Sequence, residues 1–208
     1  MRLLVTAGPT REDLDPVRFL SNRSSGRMGY ALAAALRDLG HQVILISGPV
    51  ERPAPAGVER VAVWSAREML AACRRRWPEA DGLAAVAAVA DYRPARRARG
   101  KLKRRPGEPI RLDLVPNPDI VATLARRKGR RRVLGFALES GRGLERARRK
   151  LVEKNLDWIA LNGPEAQDAD QAEILLLDAI GVPLAIGPAP KAELARELAQ
   201  RTFGPAVG

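Results

Sequence analysis

Short apolar runs alternate with amphipathic segments along most of the chain, and this alternation restricts the fold more than any other feature. A run that ends at Val5, and the runs Val43 to Ile46, Val58 to Val63, Leu83 to Val89, Val133 to Leu138 and Trp158 to Leu161, have the length and apolar content of buried strands. Between them, Gly29 to Leu39, Ala66 to Arg76, Pro118 to Arg127 and Leu144 to Lys154 carry apolar residues at helical spacing. Asn117 is read as the N-cap of the third helix, with Pro118 at its first position. Strands joined by helices bury both faces of a sheet. The pattern therefore predicts an α/β fold, a three-layer Rossmann-like arrangement around a mixed, mostly parallel sheet. Near the end, Glu173 to Leu177 and Val182 to Ile186 flank a turn at Asp178 to Gly181. That reads as an antiparallel edge hairpin, followed by a last helix near Lys191 to Arg201. No repeat or low-complexity linker divides residues 1–208, so one domain is expected, and Pro53 to Gly57 marks a surface loop.

Several classes of protein are disfavoured by the same text. No apolar run approaches the ~18 to 20 residues that span a bilayer, and the N-terminus opens on a strand-like segment with no signal-peptide pattern. A cytoplasmic protein is expected. The single cysteine, Cys73, cannot pair within the chain, and it sits beside Leu70, Ala71 and Ala72 in a helical pattern that points to buried packing. His41 is the only histidine and lies at a helix-to-strand turn, a surface position, so no Ser-His-Asp or Cys-His set is available.

A net charge of +12 suggests a polyanion binder, but the excess is local. Residues 93 to 111 hold nine cationic side chains against Glu108 alone, a net of +8. Only the flanking Tyr92 is aromatic, so the stacking surface of a single-strand binder is missing and a small anionic ligand fits better.

Residues 22 to 29, Asn22-Arg23-Ser24-Ser25-Gly26-Arg27-Met28-Gly29, are read as following the first strand and running into a helix. Small Ser and Gly residues let backbone N–H groups approach an anion, and the following helix adds unpaired donors and a positive dipole end. The same string also describes an ordinary strand-to-helix connection with a close helix–sheet contact. Ligands of such sheets bind at the carboxyl ends of the strands, where the 22–29 loop, Ala90-Asp91 and the basic stretch are all expected to lie.

The segment Thr6-Ala7-Gly8-Pro9-Thr10-x-Glu12, with Asp15, Val17-Arg18 and Ser21 to Gly29, resembles the opening motif of the phosphopantothenate-cysteine ligase family. Ala87 to Tyr92, Lys101-x-Lys103, Asn117-Pro118-Asp119-Ile120, Gly135-Phe136-Ala137 and Lys150-Leu151 through Asn162 match in the same order. The resemblance implies a two-step ligation in coenzyme A biosynthesis. The carboxylate of 4'-phosphopantothenate attacks the α-phosphate of a nucleoside triphosphate, and the amine of L-cysteine then displaces the nucleoside monophosphate. It further implies Asn22, Lys101 and Lys103 as catalytic residues, the lysines lying on a flap over the triphosphate. Ser24, Ser25, Gly26, Met28, Ala90, Asp91, Asn117, Asp119, Ile120 and Phe136 are implied as nucleotide-binding, with Asp91 and Asp119 as candidate Mg2+ ligands. Bacterial members look CTP-dependent, so CTP is expected ahead of ATP, and a homodimer is implied. The sequence opens at the ligase motif, so any flavin-dependent decarboxylase is expected on a separate polypeptide. The family's acidic, glycine-phenylalanine stretch is missing after Asn162, where Gly163 to Gln171 stands instead, and Leu138 and Ser140 replace commoner residues.

Two other classes fit parts of the text. A nicotinamide-dependent reductase would share the alternation and the Ser-x-Gly-x-x-Gly loop, but no acidic residue ends the second strand and no Tyr-x-x-x-Lys pair occurs. A basic nucleic-acid-binding module would use residues 93–111, with salt-sensitive affinity as its mark.

Overall fold

The structure, a computed structural model, describes residues 1–104, 106–138, 143–163, 171–180 and 182–204. Arg105, Glu139, Ser140, Gly181 and most of the segment that departs from the family pattern, residues 164–170, lie outside the described residues. The protein is α/β, with an eight-stranded sheet at its centre. Strands β1 (Arg2–Ala7), β4 (Gln42–Ser47), β5 (Glu59–Ala62), β6 (Gly82–Ala85), β9 (Arg132–Leu138) and β10 (Trp158–Asn162) run parallel. β11 (Gln171–Asp178) and β12 (Pro183–Pro190) add the antiparallel edge, giving the order β12-β11-β10-β9-β6-β1-β4-β5. Two short ribbons lie off this sheet: β2 (Arg11–Asp13) with β3 (Phe19–Ser21), and β7 (Tyr92–Pro94) with β8 (Leu114–Pro116).

Helices α1 (Arg27–Asp38) and α5 (Lys191–Phe203) cover one face, and α2 (Ala66–Arg76), α3 (Ile120–Ala125) and α4 (Gly143–Glu153) cover the other. The two-residue repeat of the strands assigns the core residues to these faces. Leu3, Val5 and Ala7 of β1 join Val43 and Leu45 of β4 beneath α1, while Leu4, Ile44 and Ile46 point to α2. Side chains buried on both faces explain why these strands read as continuous apolar runs.

Four readings of the sequence are corrected by the structure. The strand expected at Leu83 to Val89 ends at Ala85, because the next residues leave the ladder to hydrogen-bond with the 6–10 segment. The 22–29 loop follows β3, since the β2–β3 ribbon intervenes after β1. Helix α3 is capped by Asp119, whose carboxylate accepts the Ala122 N–H, and not by Asn117. His41 is partly buried, its Nε2 3.1 Å from the Phe203 carbonyl oxygen. Cys73 is buried as expected, and burial pushes its thiol pKa up to about 12.

Candidate active site

The strand order reverses beside β1: the chain runs outward through β4 and β5, then returns to β6 on the other side. A reversal of this kind leaves a crevice at the carboxyl ends of the central strands. A cavity of about 740 Å³ occupies it, lined at its floor by Thr6 of β1, Ala85 of β6, Phe136 to Leu138 of β9 and Asn162 of β10.

One wall is the start of α1. Gly26 is its N-cap at φ 73°, a left-handed conformation that glycine adopts without a Cβ penalty. No side-chain bond from Gly26 caps the helix and its first turn carries no acidic residue, so the positive end of its dipole faces the cavity. The Ser24 hydroxyl accepts the Gly26 N–H at 3.3 Å and so shapes the turn. Gly29 is buried against β1, where a Cβ would stand 2.5 Å from that of Ala7. The close helix–sheet contact seats the helix end at the cavity.

The opposite wall is the segment 86–92, fixed by hydrogen bonds from several directions. Thr10, fully buried, accepts the Ala90 N–H on its hydroxyl at 2.9 Å, and its own N–H donates to Ala88. The Asn22 amide donates to the Ala88 carbonyl at 2.9 Å, and the Asn117 amide donates to that of Ala90 at 2.9 Å. Each asparagine thus spends one donor on placing this wall, and Asn22 keeps its second N–H and its carbonyl oxygen for other partners.

On the third side stand Pro116 to Val121, with Lys150 and Lys154. The carboxylate of Asp119 caps α3 and also takes an ion pair from Lys154 at 2.8 Å. Partial burial works to raise the pKa of Asp119, but the Lys154 ammonium and the Ala122 N–H outweigh it, and the net direction is downward. The Asp91 carboxylate is exposed and makes no bond to a described residue. Among the described residues no group of three or more His, Cys, Asp or Glu side chains gathers around a metal position.

Eleven of the residues singled out from the sequence line this one cavity: Asn22, Ser24, Ser25, Gly26 and Met28 from one segment, Ala90 and Asp91 from a second, Asn117, Asp119 and Ile120 from a third, and Phe136 from a fourth. Lys101 and Lys103 do not line it. Both are exposed on a strap, described over residues 95–104 and 106–113, whose ends rise from the ribbon at the cavity mouth. The sequence reading gave no role to Arg27, Lys150, Lys154 and Lys191, which add four cationic side chains to the lining. Lys150 fell within the matched stretch, whereas Lys191 opens α5 and no motif marks it.

Comparison with known proteins agrees with this fold. The chain is 48% identical over 163 residues to the coenzyme A biosynthesis bifunctional protein CoaBC of Vibrio cholerae, an overlap of 77% of this chain and 41% of that protein. It spans about two fifths of the length of the curated relatives it matches first. The crystal structure of the C-terminal domain of a coenzyme A biosynthesis bifunctional protein CoaBC superposes with a TM-score of 0.83 at 37% identity, covering 96% of this chain and 92% of that one. A Cab2 mutant in complex with phosphopantothenate-cysteine shares the fold, with a TM-score of 0.81 at 14% identity, over 97% of this chain and 85% of that one. Residues 1–204 match the DNA/pantothenate metabolism flavoprotein C-terminal domain, and with the CoaBC relatives this shows that the chain belongs to that family, the phosphopantothenate-cysteine ligase family that its opening motif resembles.

Proposed function

We propose that residues 1–208 act as one ligase domain that joins 4'-phosphopantothenate to L-cysteine through an acyl-nucleotide intermediate. The observation that carries this reading is the meeting of eleven motif residues from four separate segments in a single cavity. In the first step, a carboxylate oxygen of phosphopantothenate attacks the α-phosphorus of the nucleotide and pyrophosphate leaves. In the second, the cysteine amine attacks the activated acyl carbon, the nucleoside monophosphate leaves, and the amine proton passes to solvent. Neither step needs a protein nucleophile, which suits a lining with no histidine or cysteine among its described residues.

Each wall then has a task. The start of α1, with Ser24, Ser25, Gly26 and Met28, offers donors to phosphate oxygens. Asn22 uses its remaining amide N–H on the acyl-phosphate oxygens without changing protonation state. Phe136 gives an aromatic face to the base, and Ala90, Asp91, Asn117 and Ile120 shape the nucleoside pocket. Asp119 holds the Lys154 ammonium at the cavity wall rather than facing a cation alone. Mg2+ fits this site as a triphosphate-borne ion with Asp91 as its protein carboxylate, since both oxygens of Asp119 are engaged; it would neutralise charge on the leaving pyrophosphate. Lys101 and Lys103 would act from the strap. The V. cholerae relative is bacterial, and this favours CTP over ATP. β12 is an outer strand with Val182 and Leu184 exposed nearby, an edge suited to pairing two copies as a homodimer.

The test is pyrophosphate release with CTP or ATP, Mg2+ and 4'-phosphopantothenate, with and without cysteine, on wild type, Asn22→Asp and Lys101→Gln. Release that depends on phosphopantothenate, with amide product only when cysteine is present, is expected, together with loss in both variants. Release with neither nucleotide overturns the reading.

A further inference from the structure

The two strap lysines stand outside the cavity lining, so something must fix where they act from. We infer that Asp15 and Arg18 form an anchor that holds the strap at Leu102, making Asp15 a positioning residue for Lys101 and Lys103; this rests on the ligase reading above.

The Asp15 side chain is fully buried and saturated with donors. One carboxylate oxygen accepts the N–H groups of Val17 and Arg18, each at 2.8 Å. The other accepts Arg18 Nε at 3.0 Å, Arg18 Nη2 at 2.6 Å and the N–H of Leu102 at 3.0 Å. The same Arg18 nitrogen donates to the Leu102 carbonyl at 2.8 Å, so both peptide groups of Leu102 are held by one ion pair. Two further bonds guide the strap to this point: the Ala98 N–H donates to Leu14 at 2.9 Å, and Arg97 pairs with Asp13 at 3.1 Å. The guanidinium and the N–H groups that donate to Asp15 hold its carboxyl well below the ordinary carboxylate range, so the anchor keeps its charge at neutral pH.

Leu102 is partly buried, whereas Lys101 and Lys103 on either side of it are exposed. The two lysines are its direct chain neighbours, so holding both peptide groups of Leu102 fixes the backbone from which each lysine side chain starts. With its next tie at Ala98, an unclamped Leu102 four positions on would wander over roughly 11 Å, on the scale of a flexible chain. Clamping the middle confines the lysines to a few ångströms, which is the kind of placement that charge stabilisation of a phosphoryl transfer needs.

Asp15→Asn is the direct test. With the amide oxygen kept on the Val17 and Arg18 N–H groups, its NH2 faces donors from Arg18 and Leu102 and cannot accept them. The first readout is tryptic nicking after Arg99, Lys103 and Arg104, which needs no activity. It is expected to rise at least about tenfold while the thermal midpoint shows that the protein is folded. The second is kinetic: kcat falls at least about tenfold with the KM for phosphopantothenate held within about twofold, and the same substitution costs nothing further in a Lys101→Gln/Lys103→Gln background. Leu102→Pro removes the strap's own N–H without touching the buried carboxylate and should reproduce the loss of kcat, which covers the case of an Asp15 variant that fails to fold. Unchanged nicking in folded Asp15→Asn, or an equal loss of kcat in the lysine-free background, overturns the anchor. A wild type that releases no pyrophosphate overturns the ligase reading, while nicking still decides the anchor.

Discussion

Replacing Gly29 with alanine separates the two properties that the 22–29 loop combines. An added Cβ would stand 2.5 Å from Ala7 Cβ, 3.1 Å from Ala7 Cα and 3.2 Å from the Thr6 oxygen. These atoms belong to β1, which is hydrogen-bonded to β4 on one side and β6 on the other, so the strand cannot yield cheaply. Carbon atoms rest about 3.5 to 4.0 Å apart, and the first turn of α1 must therefore back away by roughly 1 Å. Overpacking of this kind costs about 1 to 3 kcal/mol. Alanine is the better helix former by about 0.8 to 1.0 kcal/mol, which offsets part of that cost. The net is a destabilisation of up to about 2 kcal/mol, or a fall of up to about 8 °C in Tm for a chain of this size. The retreat also moves the N-terminal donors of α1 away from the 86–90 wall, and a 1 Å misplacement costs up to about 100-fold in rate. Thermal unfolding and nucleotide titration by calorimetry measure both. A Gly29→Ala protein that melts higher than wild type and binds nucleotide equally well would refute the close approach and the role of the helix end together.

Other perturbations probe the support around the site. Glu12 is buried and its carboxylate accepts the Ala66 N–H at the start of α2 at 2.9 Å, so Glu12→Ala should destabilise by about 1 to 3 kcal/mol by stranding that donor, read as a lower denaturant midpoint. Asp119→Asn keeps an oxygen for the Ala122 N–H but loses the Lys154 pair. Because that carboxylate is 44% exposed, screening limits the loss to under about 1 kcal/mol, yet nucleotide KM should rise as Lys154 loses its fixed position. Its pKa is depressed in the folded state, so the stabilisation from its charge is present above the ordinary value of 3.8 and is lost as pH falls through the folded value. The Tm gap between wild type and Asp119→Asn should accordingly close below pH 4, measured by unfolding scans across acid pH.

The α/β architecture and its edge hairpin were legible because burial on both sheet faces forces continuous apolar strands and strongly periodic helices. Features that depend on single hydrogen bonds were not. The helix α3 is capped by Asp119 because its carboxylate reaches the Ala122 N–H, while Asn117 is turned back to the Ala90 carbonyl; both residue types cap equally well on paper. The strand β6 stops at Ala85 although Val86 to Val89 are as apolar as what precedes them, since Thr6 and Thr10 divert the backbone. The ribbons β2–β3 and β7–β8 are three residues per strand, too short for an alternation to register. Among lining residues, Arg27, Lys150 and Lys154 were given no role although they lie within matched stretches, and Lys191 lies in none, because a lysine opening a helix is no signal until the fold brings that helix end beside the cavity.

In the opening motif, motif membership and cavity lining are different things. Thr10, Glu12, Asp15 and Arg18 are absent from the cavity lining, yet together they fix three pieces of what surrounds it. Thr10 holds the Ala90 wall, Glu12 seats α2, and Asp15 with Arg18 holds the strap. Asn22, at the end of the same segment, joins the lining and ties back to Ala88. One continuous stretch thus sets the relative positions of three elements distant in sequence, and an error of 1 Å in any of them would reach the reacting atoms. Substitutions at Thr10 or Glu12 should therefore lower stability and activity together, whereas Asp15 should act on activity through the strap, a contrast that unfolding and kcat measured on the same proteins resolve.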